Sequence, residues 1–142
     1  MLFTAKNICK LDSKGRFSVP GAFLAGSRKF YFTTGLDGCL FLYPEKKWEK
    51  IYEKISLLNY SKSSNRKFLR IFFARAALVS ADSHNRLLIP LHLKKEAGIK
   101  REIFLIKIGG WFEIWAPLKF RKYEKINQKT YAALAEKLDI EI

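Results

Sequence analysis

Two ten-residue stretches of this sequence are variations on one pattern. Leu11 to Pro20 reads LDSKGRFSVP, and Ala81 to Pro90 reads ADSHNRLLIP. Asp, Ser, Arg and Pro recur 70 positions apart, from 12 to 82, 13 to 83, 16 to 86 and 20 to 90. Each stretch has the physics of a tight turn between two strands. Asp12 or Asp82 opens the turn by accepting hydrogen bonds from amides just beyond it. Gly15 or Asn85 supplies a backbone that tolerates positive φ. Arg16 or Arg86 then leaves the turn, and an apolar β-rich run ends at Pro20 or Pro90.

The echo continues outward from these turns. After Pro20, Ala22 to Leu24 predicts a short helix that Gly26 ends. KFYFTT (29–34), the turn GLDG (35–38) and CLFLY (39–43) predict a hairpin. Pro44 opens a helix whose Trp48, Ile51, Tyr52, Ile55 and Leu58 form one apolar stripe. A polar break at 59–64 precedes a connecting helix over 65–77. The second copy runs strand (78–81), turn (82–86), strand (87–89), and a short helix from Pro90 to Gly98. A hairpin of EIFLIKI (102–108), Gly109-Gly110 and Trp111 to Trp115 follows. Pro117 starts a last helix reaching as far as Leu138. Upstream of the first turn, a strand is expected over the second part of 2–11, with Phe3, Ala5, Ile8 and Leu11 inward. All four prolines occupy matching places in the two copies, and Pro is placed at the first helical position, where a missing N–H costs nothing.

The chain is therefore an internal duplication. A strand-rich unit of about 45 residues is too small to bury a good core alone, so the copies must pack or interleave on a shared one. Their short strands leave edges that must be closed into a barrel or covered. The organisation expected is a first repeat with its helix over 1–60, a connecting helix over 61–77, a second repeat over 78–128 and a helical extension over 129–142.

Lys and Arg number 27 against 13 Asp and Glu, a net charge of +14. A surplus of that size points to a polyanion as partner. The plain alternative is a basic protein from a Lys-rich proteome. Apolar residues are 49% of the chain, enough for a folded core. No apolar run approaches the roughly 20 residues of a membrane span, and the start lacks a signal-peptide pattern, so an intracellular, cytoplasmic protein is expected. Cys9 and Cys39 have no metal or redox spacing and are expected reduced and partly buried.

Among candidate site residues Arg16 ranks first. A guanidinium is a planar fork able to hold a phosphate, or the O6/N7 edge of guanine, by paired hydrogen bonds. Lys14 at the turn apex can add a phosphate contact. Arg86 is its second-copy counterpart, with His84 beside it largely neutral near pH 7. Asp12 and Asp82 are expected to anchor the turns, since carboxylates repel phosphate, and Gly15 and Asn85 to shape them. The competing reading is an internal pair in which Asp12 holds Arg16 and neither meets a ligand. Arg66, Lys67 and Arg70 on the connecting helix read as the solvated side of a helix that buries its Phe residues. His84 and His92 have no ligand spacing. Phosphate-binding glycine loops and nucleophile settings are missing, so no enzyme, cofactor, metal or small-molecule substrate is indicated.

These motifs resemble one known family. LDSKGRFSVP, GLDGCLFLYP followed by EKKWEKI, RKFLRIFFARA, ADSHNRLLIP and FEIWAP are similar to MraZ proteins, from Leu2 to about Lys125. The resemblance implies an α+β fold of two pseudo-repeated AbrB-like (SpoVT-AbrB) swapped-hairpin units that form a compact β-barrel core with flanking helices. It implies a ring-like homo-oligomer, bound on the nucleoid to repeated elements of double-stranded promoter DNA. Those elements are expected upstream of the protein's own gene and of the division and cell-wall cluster. The family's Asp-x-x-x-Arg motif falls on Asp12 and Arg16 and on Asp82 and Arg86. Asn85 departs from the usual glycine. A basic β-barrel that binds RNA or DNA without sequence preference is the alternative, and a structural ring protein is a third class.

Overall fold

The computed structural model describes residues 8–141. Phe3 and Ala5 lie outside the described residues. In the first copy, β1 (Ile8–Lys10) leads through the turn to β2 (Arg16–Ser18), then α1 (Gly21–Leu24), β3 (Lys29–Thr34), β4 (Leu40–Pro44) and α2 (Glu45–Ser56). The connecting helix is α3 (Ser63–Ala74). The second copy is β5 (Ala77–Ser80), β6 (Arg86–Leu88), α4 (Leu91–Glu96), β7 (Glu102–Ile108), β8 (Trp111–Trp115) and α5 (Pro117–Asn127). A 3₁₀ turn (Gln128–Thr130) and α6 (Tyr131–Lys137) follow.

Every strand pairing is antiparallel. The large sheet has the order β1-β7-β8-β4-β3-β5, and β2 pairs with β6 in a separate ribbon. Exchanging the copies reverses that order and leaves it unchanged, so the chain has a near-twofold axis of its own. The copies interleave: β1 flanks the second hairpin, and β5 flanks the first. In the ribbon Phe17 faces Leu87, which puts the axis between two matching residues. The ladders among the described residues form two sheets and do not join into one closed barrel.

Period-two alternation divides the sheet's side chains between two cores. Phe30, Phe32, Leu40, Leu42, Ile103, Leu105, Phe112 and Ile114 share one core with Phe17 and Leu87 of the ribbon, Val19 and Ile89 just beyond it, and Leu93 and Ile99. Each of these is almost fully buried, and each contributes roughly 1.5–3 kcal/mol by leaving water. The opposite face holds Cys39, Phe41, Tyr43, Trp48, Phe72 and Trp115. There Tyr31 stacks on Trp48 at 4.7 Å, and Trp48 on Phe72 at 5.6 Å. Thr33, the one buried polar side chain among the described residues, donates to the Phe72 carbonyl at 2.6 Å.

Some local expectations shift. Three prolines sit one residue earlier than expected. Pro20, Pro44 and Pro90 are N-caps with extended ψ, and only Pro117 occupies a first helical position. The fixed φ of Pro suits both places, and neither asks for its missing N–H. Helix α2 ends at Ser56, so Leu58 falls beyond it and is exposed. The connecting helix begins and ends earlier than 65–77, because Ala77 already pairs with Phe32 of β3. The last helix does not run unbroken to Leu138. At Asn127–Thr130, the Asn127 side chain donates to the Tyr123 carbonyl, and Thr130 Oγ1 to the Asn127 carbonyl. Such local bonds compete with a regular helix and bend it. No helix among the described residues is long and apolar enough to cross a membrane.

Candidate nucleic-acid interface

The two Asp turns are built alike. Asp12 Oδ1 accepts from the amides of Lys14 (2.9 Å) and Arg16 (3.0 Å). Asp82 Oδ1 accepts from those of His84 and Arg86, both at 2.9 Å. Gly15 has φ +85° and Asn85 φ +61°, the left-handed region. Asn enters it more readily than other residues that carry a β-carbon. The turns also grip each other. Val19 N donates to the Asn85 carbonyl at 2.9 Å, and Ile89 N to that of Gly15 at 3.2 Å.

The arginines come together across the axis. Arg16 Nε donates to Asp12 Oδ2 at 2.7 Å, and Arg86 Nε to Asp82 Oδ2 at 2.9 Å. Nη1 of each lies 3.7 Å from the other copy's carboxylate, so Arg16 meets Asp82 and Arg86 meets Asp12. Two cations and two anions thus close a ring over the ribbon. The internal pair weighed from sequence is present, but it occupies only one edge of each fork. Nη2 of Arg16 and of Arg86 takes no hydrogen bond among the described residues. The two side chains keep 25% and 28% of their surface exposed. A guanidinium locked through Nε and open at Nη2 is preorganised to meet an acceptor from outside.

The carboxylates are tuned to match. The Arg16 amide, with the Arg16 guanidinium and Lys14 amide behind it, holds Asp12 at about 2, below its ordinary 3.8. The Arg86 amide, with the His84 amide and Arg86 guanidinium, lowers Asp82 in the same way. Both stay ionised at any physiological pH and keep the arginines in place.

Strand alternation puts Arg16, Ser18, Arg86 and Leu88 on the outer face of the ribbon, with Phe17 and Leu87 beneath. Register pairs Arg16 with Leu88 and Arg86 with Ser18, a square with twofold symmetry. Ser18 and Leu88 escaped the reading of the sequence alone, although the alternation from Arg16 would have placed them. Leu88 is 46% exposed. Lys14 and His84 are exposed at the turn apices, outside the ring. His84 Nδ1 lies 3.3 Å from the Ser83 hydroxyl. Arg28 was also missed. It donates to the Asn85 side-chain oxygen at 3.1 Å and to the Asp82 carbonyl at 2.8 Å. Arg66 is spent locally, donating to the carbonyls of Tyr60 and Ser61. No group of three or more His, Cys, Asp or Glu that could hold a metal occurs among the described residues.

The fold defines a class: a duplicated α+β chain whose halves exchange strands and present a shared two-stranded ribbon bearing paired arginines. A family model described as "MraZ protein, putative antitoxin-like" matches twice, over residues 2–71 and 72–139. The chain belongs to the MraZ family. It is 39% identical over 129 residues to the transcriptional regulator MraZ of Syntrophomonas wolfei subsp. wolfei, covering 90% of each chain. It is 36% identical over 138 residues to the protein of that name from Pelotomaculum thermopropionicum, covering 96% of this chain and 95% of the relative. With the Carboxydothermus hydrogenoformans protein it shares 38% over 129 residues, 90% of each chain. These relatives are named for regulation, not for a reaction.

Proposed function

We propose that this chain is a transcriptional regulator that binds double-stranded promoter DNA sequence-specifically through the ribbon β2–β6. The reading rests on one observation above all: Arg16 and Arg86 come together across the axis, each oriented by its own Asp and each with Nη2 unbonded among the described residues. A two-stranded ribbon fits the major groove, roughly 12 Å wide, where a paired Arg contact distinguishes guanine. Ser18 can meet either kind of base, and an exposed Leu88 suits a thymine methyl. Lys14 and His84 flank the ribbon as backbone contacts, while Asp12, Gly15, Asp82 and Asn85 keep the turns in shape.

Two AbrB-like swapped-hairpin repeats share this one reading head, with α3 connecting them and α6 extending the chain. One ribbon offers few base contacts, so affinity has to come from several heads acting at once. A ring-like homo-oligomer on repeated elements supplies that through effective concentration. The elements lie upstream of the protein's own gene, and the complex acts in the cytoplasm on the nucleoid.

A gel shift on that upstream region tests the site. Arg16→Ala abolishes the shift and leaves oligomer size by light scattering unchanged. Unaltered binding by the variant removes Arg16 from the interface. Specific binding persists against on the order of 10³-fold excess random duplex at physiological salt. Loss of the complex under that competition favours a protein without sequence preference.

A further inference from the structure

The two turns are alike, but their flanks are not. Lys10, Lys94, Lys100 and Arg101 line one open cleft of about 750 Å³ together with Leu11, Asp12 and Ser13 of the first turn and with Glu102, which faces Lys10 across the β1–β7 ladder. Lys94 reaches over the turn itself, since a β-carbon on Gly15 would meet its Nζ at 3.6 Å. None of the four basic side chains makes a hydrogen bond or ion pair with another described residue. Four cations against the two carboxylates of Asp12 and Glu102 leave the cleft net positive, and an arriving anion relieves the repulsion among them.

At the matching positions of the second copy stand Ser80, Leu24, Ser27 and Arg28, with Lys29 in place of Glu102. The offsets are 70 for Ser80 and Leu24 and 73 for the rest. Of the two cations there, Arg28 is already committed to Asn85 and the Asp82 carbonyl. The first apex also carries Lys14 where the second has His84. Free positive charge is therefore concentrated beside the first turn.

We propose that this cleft is a seat for the phosphate backbone of duplex DNA, so that each chain grips one strand through its first copy while the ribbon reads bases. The proposal rests on the DNA-binding reading above and adds an orientation to it. Three of the four cations are lysines, flexible point charges without a fork, which suit phosphate oxygens rather than base edges. Double-stranded DNA offers one charge per roughly 1.7 Å of its axis, so several phosphates come within reach of the cations of one cleft.

The test compares Lys100→Gln/Arg101→Gln with a charge-matched control, Lys125→Gln/Lys129→Gln, on the exposed C-terminal helices. Binding to the upstream duplex and to a random duplex of equal length is measured by fluorescence anisotropy across a salt series. In the cleft variant the slope of log K against log salt falls by about 1.8, two contacts at about 0.9 each. Affinity drops by the same factor on both duplexes, leaving their ratio unchanged, and the control keeps the native slope. An unchanged slope in the cleft variant overturns the seat, as does an equal fall in the control. A changed ratio between duplexes overturns it too, because it assigns these residues to bases. If the unmodified protein prefers neither duplex, the parent reading fails instead.

Discussion

The two faces of the six-stranded sheet have treated the duplication differently. On the ribbon side the copies still match, with Phe17 opposite Leu87 and each turn's carbonyl bound by the other copy's strand. On the helical side they have diverged. The first hairpin lies under α2 and α3, with Tyr31, Trp48 and Phe72 in one continuous stack. The second lies under α5, where Phe120 meets Phe104 and Trp115 edge-on. Phe120 is the counterpart of Trp48 at the strand offset of 72. Thr33, which ties the first hairpin to α3, is matched at offset 73 by Ile106, a side chain with nothing to donate. Symmetry persists where the two copies make one surface together, and it lapses where each copy only needs a cover.

Three measurements can break or sharpen that contrast. The largest effect is expected at Trp48. Trp48→Ala removes the middle of a buried stack and costs about 3–5 kcal/mol, whereas half-buried Phe120→Ala costs about 2. Urea denaturation reads both, and equal losses would show the two covers to be equivalent.

Next come the paired carboxylates, where the copies are expected to agree. A lowered pKa stabilises the fold above the unfolded value of 3.8, and that contribution disappears as pH falls through the folded value. Carboxyl carbon NMR is expected to give Asp12 a midpoint near 2 and to place Asp82 below its ordinary value as well. Stability then declines from about pH 4 downward. A normal midpoint at either residue breaks the equivalence of the turns.

The smallest effect is expected at Asn85→Gly. Glycine adopts φ +61° without strain but loses the acceptor for Arg28. The opposing terms leave stability within about 0.5 kcal/mol by thermal melting. A larger loss makes the Arg28 clamp a principal support of the second turn.

What the sequence revealed was local. Asp12 and Asp82, the positive-φ places at Gly15 and Asn85, and both hairpins are written in neighbouring residues, whose turn chemistry acts over four positions. That the copies share a core also followed, from the small size of each. Which strands exchange did not, because β1 and β5 pair across the chain, and no local pattern names a distant partner. The crossed contacts of Arg16 with Asp82 and Arg86 with Asp12 depend on that exchange, and so does the ribbon's outer square. Nothing local in the sequence sets Arg28 apart from the other basic residues, and only the fold brings it to Asn85. The break at Asn127–Thr130 was available in the sequence, as polar side chains able to bond their own backbone.

The exchange of β1 also sets a timetable for synthesis. Cys9 faces Ile103, a partner 94 positions later in the chain. As the polypeptide leaves the ribosome, the first hairpin can close at once, but β1 must wait until β7 has been made. Such distant closure is slow in any chain. Until it happens, the half-made protein exposes the apolar floor on which its partner half will settle.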